Sequence, residues 1–316
     1  MDILSIIFPG QGSQAVGMGK DLYENFAAAK KVFDIADSIL NRKISELCFN
    51  GTDEELIMTI NSQPCILAVE IAAYEVLKEK LKFNPVAFAG HSLGEYAALY
   101  AAEVLDLETV FILINKRAEL MNKFAENSTG IMAAVIGLDD ETVKNVTDSI
   151  DGVYVANYNS KGQVVITGDK SQIMNSIHKF KEYGARKVIP LAVSGAFHSP
   201  YMKGAADEFK EFIDKFDFKD SKIPVYTNVD GKYTVSGKEF KDKLPRQIYS
   251  SVCWTQTINN IFNNGCSKFI EAGPGSVLYG LNRKINSQII TYNISDVESL
   301  NQTIIKLTSK EEKELV

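Results

Sequence analysis

The sequence predicts an α/β protein. A large domain is built on a mostly parallel sheet, and a small ferredoxin-like (β-α-β-β-α-β) subdomain is inserted into it. Three observations carry this expectation. The run Pro85-Val86-Ala87-Phe88-Ala89 leads through a serine between two glycines into an alanine-rich stretch, which reads as strand, tight turn and helix. The opening run Leu4-Ser5-Ile6-Ile7-Phe8 is a second apolar strand, stopped by Pro9-Gly10. Residues 130–193 alternate strand, helix, strand, strand, helix, strand, the ferredoxin-like order. The expected boundaries are 1–127 with 195–316 for the large domain, and 128–194 for the small one.

Composition narrows the function classes. The chain has 316 residues, 45% hydrophobic and 23% charged, the balance of an ordinary globular protein. A net charge of −6 argues against a general nucleic-acid binder. No apolar run approaches the ~20 residues that span a bilayer, so no membrane partner is expected. The N-terminal apolar run lacks a positive flank, so it is a strand and not a signal peptide. Cys48, Cys65, Cys253 and Cys266 show no C-x-x-C pairing, which suits scattered thiols in a reducing, cytoplasmic setting. With His91, His178 and His198 the only histidines, a histidine-rich metal site is not expected.

Taken in order, the loop after the first strand comes first. Gly10-x-Gly12-x-x-Ala15 fits a loose dinucleotide fingerprint. That fingerprint needs a second strand ending in a carboxylate. Lys30 to Leu47 instead has helical spacing, which counts against nucleotide binding. The loop still sets Gln11 and its amides beyond a strand end, where open α/β sheets hold ligands. Residues 53–60 read as a short helix. Ser62 and Pro64 fit the cap and first turn of a longer, buried helix. Gln63 at its mouth is either a cap-region residue or faces a site.

Gly90-His91-Ser92-Leu93-Gly94 is a G-x-S-x-G pentapeptide in the context a nucleophile elbow requires, which makes the large domain α/β-hydrolase-like. Ser92 would stand at a helix N-terminus, whose free N–H groups favour an oxyanion. His91, next to it, is read as structural. Asp106 caps a helix over Leu107 to Lys123, with an apolar stripe from Val110 to Phe124. Arg117 falls on that stripe. A guanidinium there needs partners: a structural Asp or Glu, or the carboxylate of a substrate gripped by its planar fork.

In the small subdomain the predicted elements are strands Ile131–Ile136, Val153–Tyr158, Gln163–Thr167 and Arg186–Val193, with helices at 140–150 and 171–183. Asn157 and Asn159 fall at its hairpin, where turn chemistry is the default explanation. His178 sits among lysines on a solvated helix face. Ser199-Pro200 reads as a capped helix start, so His198 lies on a strand-to-helix loop. Ile223 to Asn228 is a strand, 238–249 a helix holding Arg246-Gln247, Phe269 onward a strand, and 277–285 a helix. Gly273-Pro274-Gly275 lacks the lysine of a phosphate loop. Lys306 to Val316 is charge-dense and expected to fray.

These motifs together resemble the malonyl-CoA:acyl carrier protein transacylases and the related acyltransferase domains of polyketide synthases. The matching stretches are Pro9-Gly10-Gln11-Gly12-Ser13-Gln14, Gln63-Pro64, Gly90 to Glu95, Arg117, Gly195-Ala196-Phe197-His198-Ser199, Arg246-Gln247 and Glu271-x-Gly273-Pro274-Gly275. They keep the family's order over nearly the whole chain. The resemblance implies double-displacement acyl transfer. Ser92 attacks malonyl-CoA, His198 handles the proton, and acyl carrier protein accepts the malonyl group from a malonyl-serine ester. It implies an oxyanion site at the amides of Gln11 and Leu93, worth on the order of 3 kcal/mol per donor. Arg117 would hold the malonyl carboxylate with Gln63 nearby, and a carbonyl near Gln247 would orient His198. Phe197 matches the malonyl version of its motif, and the carrier arm would pass near Asn157 and Asn159. Neither a cofactor nor a metal is implied, and a monomer is expected.

An acidic carrier docking on an acidic chain needs a local basic patch, for which Lys161, Arg186, Lys187, Arg283 and Lys284 are candidates. Three other readings share these features. One is an acyltransferase of a polyketide pathway, another a serine hydrolase, which usually sets a carboxylate behind the histidine. The third is a non-catalytic carrier-binding module, which would form no adduct on Ser92.

Overall fold

The structure, a computed structural model, describes residues 3–193 and 195–309. The first strand, β1 (Leu4–Phe8), is buried along its whole length, as suits an interior parallel strand. Helices α1 (Lys20–Asn25), α2 (Ala27–Leu40) and α3 (Ile44–Asn50) follow. The helical spacing expected from Lys30 to Leu47 is therefore two helices. Asn41 breaks it in a left-handed conformation, φ 47°, which asparagine tolerates. The carboxylate of Asp37 then accepts from Ser45 N and Ser45 Oγ and holds the corner.

Helix α4 (Asp53–Ile57) opens on a capping box between Thr52 and Glu55. Helix α5 (Thr59–Lys80) starts four residues earlier than a cap at Ser62 would place it, and Pro64 lies inside it. Proline lacks the N–H that would reach the carbonyl four residues back. Here the orphaned carbonyl is that of Ile60, and Arg42 Nη1 donates to it at 3.1 Å. Helix α5 is buried on nearly every side, as its apolar residues predict, and packs against α2 and against α7 (Leu107–Glu126).

Strand β2 (Pro85–Gly90) runs parallel to β1 and turns into α6 (Gly94–Ala101). The glycines of this turn are obligatory. A Cβ on Gly90 would lie 1.9 Å from the carbonyl of Gly94, and one on Gly94 would lie 2.4 Å from that of Phe8. Helix α7 is capped by Asp106, whose carboxylate accepts from Thr109 N at 2.7 Å.

The small sheet holds β3 (Gly130–Ile136), β4 (Val153–Ser160), β5 (Gln163–Asp169) and β6 (Lys187–Pro190), with α8 (Asp140–Asp148) and α9 (Lys170–Glu182) between them. Its order is β4-β5-β3-β6 and its pairs are antiparallel, the ferredoxin-like arrangement. Asn157 and Asn159 belong to β4 and not to the turn, because pairing with β5 continues to Ser160.

The chain then passes through a 3-10 turn at Pro200–Met202 into α10 (Lys203–Ile213). Ser199 precedes that turn without capping it, since its hydroxyl donates to Ala196 O. After β7 (Val225–Tyr226), β8 (Tyr233–Thr234) and α11 (Gly237–Tyr249) come elements the sequence reading did not specify: α12 (Trp254–Asn263), β10 (Ile290–Ile294) and α14 (Val297–Thr308). Strand β9 (Lys268–Ala272) and α13 (Val277–Ile285) lie among them as expected. Lys306 to Thr308 finish α14, while residues 310–316 of the segment expected to fray lie outside the described residues.

The large sheet has the order β10-β9-β1-β2-β7-β8, parallel except for β8. The α/β expectation of a parallel-rich sheet with a separate antiparallel one is met. Strand β4 ties the small sheet to the large domain at Val252, between α11 and α12: Tyr158 N donates to Val252 O and Val252 N to Ala156 O. No helix among the described residues is long and apolar enough to cross a membrane.

Candidate active site

Two residues in the left-handed region face each other at the carboxyl ends of β1 and β2. Ser92 has φ 52° and His198 has φ 58°, conformations that cost energy in a residue with a Cβ and need surrounding structure to hold them. Ser92 Oγ lies 2.9 Å from His198 Nε2. His198 Nδ1 lies 2.8 Å from the main-chain carbonyl of Gln247. A carbonyl only accepts, so Nδ1 carries the proton and Nε2 presents its lone pair to the serine hydroxyl. Burial, reinforced by the nearby Arg117 charge, lowers the His198 pKa to about 3. The imidazole is neutral at physiological pH and ready to take a proton. Among the described residues no carboxylate stands behind it. The Gln247 carbonyl holds the third position.

Arg117 is 1% exposed. Its Nη1 donates to Gln63 Oε1 at 2.6 Å, and its Nη2 donates to Gln247 Oε1 at 2.9 Å and to Ser92 Oγ at 3.0 Å. The Nε–H is buried without a partner. The Tyr96 ring lies under the guanidinium, 5.7 Å from its central carbon. Among the described residues Arg117 makes no ion pair, so the structural-partner alternative is not realised: neutral amides hold the cation and one donor of its fork is open. Gln63, within α5, meets Arg117 and not a helix cap.

The amides around Ser92 divide into used and unused. Ser92 N donates to Asn228 Oδ1 at 2.6 Å. Those of Leu93 and Gln11 find no acceptor among the described residues, and both residues line the cleft. The cleft encloses about 280 Å³ and also takes in Ser92, Arg117, Asn157 and His198. Asn159 accepts from His91 Nε2 at 2.8 Å, which ties the elbow to β4 of the small sheet. His91 is lowered by burial and stays neutral. A larger, shallower hollow of about 550 Å³ lies beside the start of β2, between Tyr74, Lys82 and Phe83, and contains no nucleophile paired with a base. His178 is exposed beside Glu182.

The structure thus brings Ser92, His198, Arg117, Gln11, Leu93 and Asn157 to the lining of one cleft, with Gln63 and Gln247 buried behind it against Arg117. Two further buried residues that the motifs left without a role hold the elbow from behind. Asn228 ends the predicted strand at 223–228, and its side chain bridges Ser92 N and Gly90 O, donating to the latter at 2.7 Å. Glu95, the last residue of the elbow motif, accepts at one oxygen from Asn228 N and from Gln247 Nε2. A polar residue at the end of a strand beside the elbow was the available signal for Asn228.

This geometry can be set beside known proteins. The family model for the acyl transferase domain matches residues 6–308. The chain belongs to the acyl transferase family. It is 44% identical over 318 residues to the malonyl CoA-acyl carrier protein transacylase of Bacillus subtilis (strain 168), covering 99% of each chain. Among solved structures, an acyl carrier protein S-malonyltransferase from Vibrio cholerae superposes with a TM-score of 0.91 at 39% identity, over 95% of this chain and 99% of that one. A malonyl-transacylase in complex with its type II PKS acyl-carrier protein superposes with a TM-score of 0.93 at 36% identity, over 96% and 100%. In this chain the cleft holds the serine, the neutral histidine and the buried arginine.

Proposed function

We propose that this acyltransferase moves the malonyl group of malonyl-CoA to the phosphopantetheine thiol of acyl carrier protein, supplying fatty-acid synthesis. One observation carries the choice of acyl group. A buried guanidinium that makes no ion pair among the described residues sits 3.0 Å from the serine hydroxyl. Malonyl places a carboxylate one methylene from its reacting carbonyl, so an acyl group bonded to Ser92 Oγ brings that carboxylate within reach of Arg117. An acetyl group offers the cation nothing.

In the first half-reaction His198 Nε2 takes the hydroxyl proton as Ser92 Oγ bonds to the thioester carbonyl. The developing oxyanion meets the unused amides of Leu93, at the α6 N-terminus, and of Gln11, in the loop after β1. The C–S bond breaks, and His198 returns the proton to the coenzyme A sulfur. In the second half, the carrier thiol gives its proton to His198 and attacks the malonyl ester. The C–O bond then breaks and Ser92 recovers its proton. The Gln247 carbonyl keeps the imidazole in the tautomer both halves need.

The same reading includes a Ser-His dyad without a third carboxylate, no resident cofactor, a cytoplasmic monomer, and a division of the chain at 128 and 194. It also assigns the pantetheine passage to the side of Asn157. A carrier surface is part of it as well. Lys284 Nζ donates to Gln163 Oε1 at 3.1 Å, which brings the end of α13 to the β4–β5 hairpin that carries Lys161. Gly137 N donates to Gly162 O, and Arg186 lies against Gly137, so four of the five candidate cations gather at this hairpin with Arg283 beside Lys284.

The test is intact mass measurement after mixing the protein with malonyl-CoA, followed by addition of carrier protein. The expected result is one malonyl group on Ser92, discharged to the carrier faster than to water, and no adduct on Ser92→Ala. Discharge to water alone makes the protein a hydrolase, and the absence of any adduct removes the mechanism.

A further inference from the structure

Arg117 is held by two side-chain amides, and an amide can present either of its ends. Turned the wrong way, Gln247 would point its NH2 group at the guanidinium and repel it. The structure shows what prevents this. Gln247 Nε2 donates to Glu95 Oε2 at 2.8 Å and to Ser92 O at 2.9 Å. With the NH2 end committed twice, Oε1 faces Arg117 Nη2. Gln63, on the other side, has among the described residues only the weak acceptor Met121 Sδ at 3.5 Å to orient its NH2 end. The Gln247 amide is therefore the better-fixed of the two, and Glu95 is one of the two groups that fix it.

Glu95 is itself placed by the elbow. It is 1% exposed, in the first turn of α6 and three residues after the nucleophile. The same Oε2 accepts from Asn228 N at 3.0 Å, and Asn228 in turn holds Ser92 N and Gly90 O. A carboxyl group buried here, with two donors converging on one oxygen, is costly unless its bonds do something specific.

We infer that Glu95 is a positioning residue for substrate selection. Acting through Gln247, it sets the guanidinium of Arg117 to receive the distal carboxylate of the acyl group. This rests on the reading of Arg117 given above. The relevant property is acceptor geometry at Oε2, which an amide oxygen can reproduce with its two lone pairs.

The experiment compares single-turnover acylation of Ser92 by malonyl-CoA and by acetyl-CoA in the wild type, Glu95→Gln, Glu95→Ala, Arg117→Ala and the Glu95→Ala/Arg117→Ala double variant. The readout is the malonyl-to-acetyl rate ratio, which general loosening of the elbow would not move. Glu95→Ala is expected to lower the ratio about tenfold, one misplaced charged hydrogen bond or about 1.4 kcal/mol. Glu95→Gln should keep it within about threefold of the wild type, because the acceptor remains. In the double variant the ratio should equal that of Arg117→Ala alone, since the two act in series.

If Arg117→Ala leaves the ratio intact, the carboxylate-binding reading is wrong and this inference goes with it. If Arg117→Ala collapses the ratio while Glu95→Ala slows both substrates equally, only the role given to Glu95 is overturned. Should Glu95→Ala not fold, Gln247→Leu removes the same oriented amide and keeps the main-chain carbonyl for His198. An unchanged ratio in that variant overturns the inference equally.

Discussion

Replacing Arg117 by alanine should change which acyl group the enzyme accepts more than how fast it works. The side chain is fully buried, and its Nη atoms make three short hydrogen bonds while Nε makes none. A malonyl carboxylate entering the cleft can take the open Nε–H and share the neighbouring Nη2, the parallel pair that a guanidinium offers a carboxylate. Two charge-assisted bonds at about 1.5–3 kcal/mol each give about 3–6 kcal/mol, of which desolvating the carboxylate returns roughly half. The remainder, about 1.5–3 kcal/mol, corresponds to a ~10- to 150-fold loss in kcat/KM for malonyl-CoA.

Acetyl-CoA loses much less. Its acyl group never meets Arg117, so the substitution removes only the bond from Nη2 to Ser92 Oγ and leaves Gln63 Oε1 and Gln247 Oε1 to water. A fall of no more than about fivefold is expected there, roughly one ordinary hydrogen bond. Arg117→Lys should fall between wild type and alanine with malonyl-CoA, because an ammonium keeps the charge and loses the fork. The assay is initial-rate transfer to carrier protein with each thioester, followed as free coenzyme A. Equal losses with the two substrates, or a larger loss with acetyl-CoA, would refute the reasoning whatever the absolute rates.

Two further outcomes follow from the same groups. Since burial and Arg117 hold the His198 pKa at about 3, kcat/KM for malonyl-CoA should not show the loss of roughly tenfold per unit below pH ~6.5 that an ordinary histidine base gives. Among the described residues, the one site group titrating between pH ~7.5 and ~5 is Glu95, which burial pushes up to about 7. The linked effect on stability has a definite sign. Below pH 6.5 the unfolded chain protonates this histidine and the folded one does not, so stability falls as pH drops from 6.5 toward 3, by about 2 kcal/mol at pH 5. Denaturant unfolding of His198→Ala should lack that part of the slope, and identical slopes would show that the histidine is not held neutral. Finally, the cations at the β4–β5 hairpin should govern encounter with an acidic carrier. Arg283→Glu with Lys284→Glu is expected to raise the KM for carrier protein at least about tenfold at low salt while leaving malonyl adduct formation alone, and to shrink the salt dependence of transfer. A KM that ignores both charge reversal and salt would place docking elsewhere.

What the sequence made legible, and what it hid, divides by the range of the interactions involved. The elbow is legible because its constraint is local. A serine at φ 52° between glycines that carbonyls crowd needs no information beyond its neighbours. The Asp106 cap and the alternating elements of the small sheet are local in the same way, and so is the place of Arg117 on an apolar stripe. Pro64 was misread as a first-turn residue because the reason it is tolerated inside α5 is a guanidinium from Arg42, on another segment. Asn157 and Asn159 looked like turn residues because asparagine usually is one. Their place in β4 follows from pairing with β5, and in the case of Asn159 from a bond to His91 across 68 residues. The role of Asn228 was hidden for the same reason, its place at a strand end being the one local sign: it holds Ser92 N from 136 residues away. The resemblance of the motifs placed a Gln247 carbonyl behind His198, but no motif encodes which end of the Gln247 side chain faces Arg117. That orientation is decided by Glu95 and by the Ser92 carbonyl, so the selectivity of the cleft depends on an amide whose direction exists only once the chain has folded.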